Sequence, residues 1–235
     1  VSPTVETITS GSLRAHVARP AKPSKAGVLV LSHWGGLDAD TDYHCRRLAS
    51  EGFTAVAWDP FSAYEPDLAM AERRRLTRGV IRDVDARQEQ MHWIGYMREE
   101  LGLAHVGGLG FCMGGRMGLL LGVTDPRLEC FSAFYPTLRM PVPEGALNTI
   151  EAAPDIKCAV QIHYPGLDES TRHETVAAVR QGLESRPSGP PAISHHYPDA
   201  RHGFLGEERQ GHPGDAAAAA IAWPMTLAFF RAQLS

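Results

Sequence analysis

Apolar positions in this chain come in short consecutive blocks rather than in strict alternation. "GVLVLS" over 27–32, "FTAVAW" over 53–58 and "HVGGLG" over 105–110 are three such blocks. Runs of this kind read as strands covered on both faces, as in a parallel sheet. Residues 128–135 and 156–164 supply two more, and 192–197 also reads as a strand. Between them the period turns helical. Residues 42–52 carry Tyr43, Leu48 and Ala49 at helical spacing, with Gly52 as a stop. Helices are also predicted over 114–122, 171–183 and 215–233, and one or two over 68–101. Strands alternating with helices predict an α/β fold with a mostly parallel central sheet and helices on both faces. No long linker and no internal repeat divides the 235 residues, so a single domain is expected.

Ligands of such sheets bind beyond the carboxyl ends of the strands. The segments there include "SHWGG" (32–36), "DPF" (59–61), "FCM" (111–113), "PGLD" (165–168) and "PDARHGF" (198–204). One of them stands out. "GFCMG" over 110–114, between a strand and a helix, has the form G-x-C-x-G, a nucleophile elbow with cysteine in place of serine. The tight turn leaves no room for side chains two positions either side of the nucleophile, and Gly110 and Gly114 supply none. Gly115 and Gly118 let the helix lie close to the sheet. Cys112 would then sit at a helix N-terminus, which favours a thiolate. The Met113 N–H would form half of an oxyanion hole. A buried cysteine in a glycine-rich turn is the competing reading of the same segment.

An elbow cysteine needs a base and an acid, in the chain order nucleophile, acid, histidine. His163, His195 and His196 fall inside predicted strands, His173 in a helix and His212 in a polar tail loop. His202 follows the last strand and is the candidate base. Asp168 follows the strand over 156–164 and is the candidate acid, with Glu169 as the alternative. Asp168 or Ser170 also fits an N-cap for the next helix. The loop after the first apolar strand offers Trp34 N–H as the second oxyanion donor. His33 beside it either points into the pocket or caps nearby backbone.

Composition narrows the partners. Apolar residues make up 43% and charged residues 21%, and the formal net charge is −4. The one basic block, Arg73–Arg75, is too small to suggest a nucleic-acid surface. The alanine run 216–220 is too short to span a bilayer, and no secretory leader is recognisable at Val1. Four scattered cysteines without a CxxC pair fit neither a zinc site nor a disulfide framework. A cytoplasmic protein acting on a small molecule, without metal or cofactor, is expected.

"GFCMGG" (110–115), "GLD" (166–168), "ARHGF" (200–204) and "EGFTAVAWDPF" (51–61) together resemble the dienelactone hydrolase family of α/β-hydrolases, over nearly the whole chain. The resemblance implies an α/β-hydrolase fold. It implies a Cys-His-Asp triad of Cys112, His202 and Asp168 that cleaves an ester or lactone through a thioester. It also implies an oxyanion hole from the N–H groups of Trp34 and Met113. Two departures stand out. Family members carry a glutamate against the resting thiol where this chain has His33, beside which a thiol ionises more readily. They carry a substrate-binding arginine four positions after the catalytic histidine, where this chain has Gly206. A second family arginine matches one of Arg73 to Arg75 or Arg78. The expectation is a less charged ester, lactone or thioester in a pocket bordered by His33, Phe61, Tyr64, Arg75, Tyr135 and Phe204, with Trp34 and Tyr164 adding aromatic surface.

Other functions fit the same residues. An acyltransferase, cyclase or biosynthetic thioesterase would use the same covalent step. A noncatalytic ligand-binding scaffold predicts a broken triad, whereas all three members are present. A redox role lacks a resolving cysteine near Cys112 in sequence. A metal site of His163, His195 and His196 is opposed by strand alternation, which sends adjacent residues to opposite faces.

Overall fold

The computed structural model describes residues 3–235. Its strands are β1 (Val5–Ser10), β2 (Leu13–Ala18), β3 (Ala26–Leu31), β4 (Thr54–Trp58), β5 (His105–Phe111), β6 (Cys130–Phe134), β7 (Ala159–Leu167) and β8 (Ala192–Arg201). They form one sheet in the order β1-β2-β4-β3-β5-β6-β7-β8. From β4 to β8 every pairing is parallel, while β1 and β2 form a hairpin that joins β4 antiparallel. The expected mostly parallel α/β sheet is therefore present. The hairpin was not legible as such: β1, "VETITS", is an edge strand whose side chains stay half-buried or exposed, so it lacks an apolar run.

The helices are α1 (Ala39–Ser50), α2 (Met70–Gly79), α3 (Asp83–Glu99), α4 (Met113–Thr124), α5 (Thr149–Ala152), α6 (His173–Glu184) and α7 (Pro213–Gln233). The stretch 68–101 thus holds two helices. Helix α1 starts earlier than its apolar spacing suggests, because Asp38 caps it: Oδ1 accepts the Thr41 N–H at 3.0 Å.

Consecutive apolar residues serve two cores. On β3, Leu29 and Leu31 belong to the core shared with α3, α4 and α6, whereas Val28 and Val30 belong to the core shared with α1 and α7. That two-sided burial explains why the strands read as unbroken apolar runs. The β8 end is anchored to α7. Arg201 donates to fully buried Asp215 through its backbone N–H (2.8 Å) and its guanidinium (2.9 and 2.6 Å), tying the strand end to α7. His202 is the first residue beyond that anchor. Among the described residues, no helix is long and apolar enough to cross a membrane.

Candidate active site

Cys112 lies between β5 and α4 with φ 53° and ψ −113°, a conformation that side chains rarely adopt. Three backbone bonds hold it there. Its N–H donates to Phe134 O (3.1 Å), and its carbonyl accepts from Thr137 N–H (3.0 Å) and Arg116 N–H (3.3 Å). The flanking glycines are required by close approach. A Cβ at Gly114 would overlap the backbone of Leu31 and Ser32, and one at Gly118 would overlap the Phe131 ring. Helix α4 therefore sits directly against β3 and β6, and the elbow projects its side chain above the strand ends.

The thiol has three neighbours. Thr137 Oγ1 is 3.0 Å from Sγ, the Met113 N–H is directed at it, and the His202 imidazole faces it. Burial pushes the thiol pKa up, but hydrogen bonding and charge from His202, then Thr137 and Met113, bring it below the ordinary value. His202 Nδ1 meets Asp168 Oδ2 at 2.8 Å, and Asp168 Oδ1 accepts the Ser170 N–H at 2.7 Å. A carboxylate only accepts, so Nδ1 carries the proton and Nε2 is left for the sulfur. Burial pulls the imidazole pKa down, yet the Asp168 bond and the neighbouring thiol raise it to about 9. Both directions favour a thiolate–imidazolium pair.

The 33–36 turn closes the other side. Gly36 N–H donates to His33 O (3.1 Å) and Gly35 N–H to His33 Nδ1 (2.9 Å). Among the described residues the Trp34 N–H of this turn has no acceptor. His33 Nε2 sits 3.1 Å from Asp38 Oδ2, and burial, which lowers its pKa, is outweighed by Asp38 and Asp40, which raise it. Both ring nitrogens are thus engaged within the turn and the α1 N-terminus. Arg73 straps the turn from outside. Its guanidinium donates to the carbonyls of Gly35 (2.6 Å), Leu37 (3.2 Å), Leu68 (2.9 Å) and Pro66 (2.9 Å).

A cavity of about 540 Å³ opens from Cys112 between α2, the start of α3, α4 and residues 137–150. Trp34, Met113 and Thr137 border its end at the sulfur, and Ile81, Met117, Leu138 and Ile150 give it apolar walls. Asp83 and Arg116 form a two-pronged ion pair in its wall at 2.5 and 2.7 Å, and this pairing outweighs burial to lower the Asp83 pKa. Exposed Arg74, Arg78, Arg82 and Arg139 ring the mouth. Arg82 pairs with Asp85, and Arg74 lies 4.5 Å over the Trp34 ring. No carboxylate pairs with Arg74, Arg78 or Arg139 among the described residues.

None of the six side chains expected to border substrate lines this cavity. Phe61 is buried beneath Gly36 and Arg73. Tyr64 points to solvent, and its carbonyl accepts from Arg14. Arg75 faces outward and pairs with Glu72, because α2 turns Arg74 and Arg78 inward instead. Phe204 is a core ring against Phe134, Tyr135 and Tyr197. Tyr135 is buried with its ring centroid 5.0 Å from that of His202, so it walls the imidazole. His33 is held as described above. Tyr164 packs on His196. The opposite-face argument for the paired histidines matches the contacts: His195 stacks on His163, while His196 meets Tyr164 and His173.

Thr137, Arg116, Arg139 and Asp83 were not anticipated. Thr137 and Arg139 follow β6, so the strand-end rule applied to that strand would have reached them.

A model of the dienelactone hydrolase family matches residues 13–234. The chain belongs to the dienelactone hydrolase family. A carboxymethylenebutenolidase of Rhodococcus opacus is 32% identical over 202 residues, spanning 80% of this chain and 73% of that protein. A "Putative carboxymethylenebutenolidase" of Salmonella typhi is 30% identical over 226 residues, 92% of this chain and 81% of that one. Among solved structures, a "Putative Dienelactone Hydrolase" of Klebsiella pneumoniae superposes with a TM-score of 0.86 at 25% identity, covering 98% of this chain and 99% of the other. As a dienelactone hydrolase family member with this fold, the protein is a hydrolase of the α/β-hydrolase type. Within that family setting Gly206 makes a turn, its N–H donating to Gly203 O at 3.0 Å. The cationic groups of the cavity are Arg74 and Arg78 of α2, Arg82, Arg116 of α4 and Arg139.

Proposed function

We propose that the protein hydrolyses a carboxylic ester or lactone with Cys112 as nucleophile, His202 as acid and base, and Asp168 as the group that orients the imidazole. The observation that carries this reading is the alignment of Cys112, His202 and Asp168, with Cys112 at the inner end of the cavity. One distance in it, His202 Nδ1 to Asp168 Oδ2, is 2.8 Å.

The thiolate attacks the substrate carbonyl carbon. The carbonyl oxygen takes the negative charge and accepts the N–H groups of Trp34 and Met113. The C–O bond to the alcohol breaks, and the departing alkoxide takes the proton of the His202 imidazolium. Neutral His202 then removes a proton from water, which adds to the thioester. Breaking the C–S bond returns the electron pair to Sγ and restores the ion pair. Asp168 stabilises the imidazolium whenever it forms.

The cavity supports a substrate with an apolar body and an anionic group. Ile81, Met117, Leu138 and Ile150 give it apolar surface among polar side chains, Glu144 included, and Arg74, Arg78 and Arg139 stand at its mouth without acid partners. On a chain of net charge −4 this is a local excess of positive charge. A carboxylate on the substrate would meet it, which revises the expectation of a less charged ester.

Cys112→Ala and Cys112→Ser are the tests, assayed against aryl esters and simple lactones with and without a carboxylate. Loss of at least about a thousandfold in kcat/KM is expected for Cys112→Ala. A covalent adduct of acyl mass should be trapped on the wild type by acid quench and mass spectrometry. Undiminished hydrolysis by Cys112→Ala overturns the proposal.

A further inference from the structure

The chain goes to some trouble to bring Thr137 onto the elbow. Just beyond β6, Tyr135 adopts φ 37°, in the left-handed region that side chains avoid. Its N–H donates to His163 O at 2.7 Å, so the strained turn is fixed to β7. Two residues later the Thr137 N–H donates to Cys112 O at 3.0 Å, and Thr137 Oγ1 lies 3.0 Å from Cys112 Sγ. The turn is braced from below by buried Thr171. Its hydroxyl donates to Pro136 O (2.9 Å) and accepts the Leu138 N–H (3.0 Å). Thr171 lies three residues after Asp168, so one short segment supports both the acid and this turn. Among the described residues the Thr137 hydroxyl has no partner other than the sulfur, and Thr137 borders the cavity. Placing its only hydroxyl partner at the reacting atom is difficult to explain by packing, since valine fills the same space.

We propose that Thr137 is a further catalytic residue, whose hydroxyl donates a hydrogen bond to the Cys112 sulfur when that sulfur carries negative charge. The inference rests on the reading of Cys112 as nucleophile. The bond is strong to a thiolate and weak to a thioester sulfur, because acylation removes the charge that the hydroxyl meets. It therefore acts at the two ends of the cycle. Before attack it holds the thiolate in line beneath the Trp34 and Met113 N–H groups. During deacylation the C–S bond of the tetrahedral intermediate breaks and its electron pair moves to Sγ. The hydroxyl then meets the emerging charge and makes sulfur a better leaving group. No extra proton is transferred: the proton from water stays on His202, and Thr137 keeps its own.

The two effects oppose each other in acylation and reinforce in deacylation. A stabilised thiolate is more abundant but less nucleophilic. Loss of the hydroxyl should thus change kcat/KM little at alkaline pH, while slowing breakdown of the thioester. A role confined to packing would instead lower kcat/KM at every pH.

Thr137→Val keeps the shape and deletes the donor, and Thr137→Ser restores the donor with less bulk. Cys45, Cys130 and Cys158 are buried, so iodoacetamide alkylation of the folded protein reports Cys112. In Thr137→Val the pH midpoint of alkylation should move up by about one pH unit, a tenfold change in ionisation. With an aryl ester, kcat should fall about tenfold and KM should fall with it as acyl-enzyme accumulates, detectable as a burst. Thr137→Ser should recover most of both. An unchanged alkylation midpoint with a normal kcat overturns the role of Thr137. Cys112→Ala serves as the companion control. If it retains hydrolysis, the nucleophile reading fails, and the alkylation midpoint of Thr137→Val still reports separately whether the hydroxyl engages the sulfur.

Discussion

Asp168→Asn separates orientation of the imidazole from the mere presence of a polar group. The carboxylate accepts two donors, His202 Nδ1–H at 2.8 Å and the Ser170 N–H at 2.7 Å. An amide has one oxygen and must abandon one of them. Keeping the Ser170 bond turns the NH₂ toward Nδ1, which forces the proton onto Nε2, the nitrogen that must accept from the nucleophile side. The rise of the His202 pKa from 6.5 to about 9 corresponds to about 3 kcal/mol in favour of the imidazolium. Burial opposes that rise, and the Asp168 hydrogen bond heads the contributions that produce it. Losing most of it costs a factor of about 100, and the inverted tautomer adds to that, so kcat/KM should drop about a thousandfold. In the wild type kcat/KM should fall as pH rises through about 9, when the imidazolium that protonates the leaving group is lost. In Asp168→Asn that alkaline limb should move below about pH 7.

Stability gives a second reading with a definite sign. A pKa raised on folding stabilises the fold below the unfolded value of 6.5, and the gain disappears as pH rises through about 9. The loss of Tm caused by Asp168→Asn should therefore be greatest near pH 6 and shrink above about 9 to the cost of the one lost hydrogen bond. The assay is kcat/KM for an aryl ester across pH, with melting curves at the same pH values. A variant that keeps wild-type kcat/KM, with its alkaline limb still near 9, would refute the assignment of Asp168 to His202.

Arg73→Met removes the donors that strap the carbonyls of Gly35 and Leu37 without touching the cavity. The Trp34 turn should loosen, lowering kcat about tenfold with KM nearly unchanged, and steady-state kinetics that show kcat intact would reject the strap. Arg78→Gln combined with Arg139→Gln removes two unpaired charges from the cavity mouth. For an aryl ester bearing a carboxylate KM should rise about tenfold, while the corresponding neutral ester is unaffected and the effect fades in high salt. Equal changes for both esters would argue against an anionic substrate.

The local signals were backbone constraints, and they could be read from the chain alone. Five largely apolar runs specified the parallel strands β3 to β7, because strands buried on both faces tolerate no alternation, whereas the edge strand β8 is mostly exposed. Gly110, Gly114 and Gly118 around Cys112 specified the elbow, because the close passage of α4 over Leu31 and Phe131 excludes a Cβ there. The ordering of Asp168 and His202 after strand ends followed from the same logic. What only the tertiary structure decided lies where distant segments meet. The register of β6 beside β5, together with the strained turn at Tyr135, sets Thr137 on the sulfur from 25 residues away. The facing of α2 decides that Arg74 and Arg78 look into the cavity and Arg75 out, a matter of 100° per residue that a run of three arginines leaves open. Aromatic residues mislead for a related reason. Phe61 and Phe204 sit close to site residues in sequence, but their area is worth more in the core than at a wet surface, and packing claims them. Sequence specifies the atoms that backbone geometry demands, and packing decides which of the remaining side chains face the substrate.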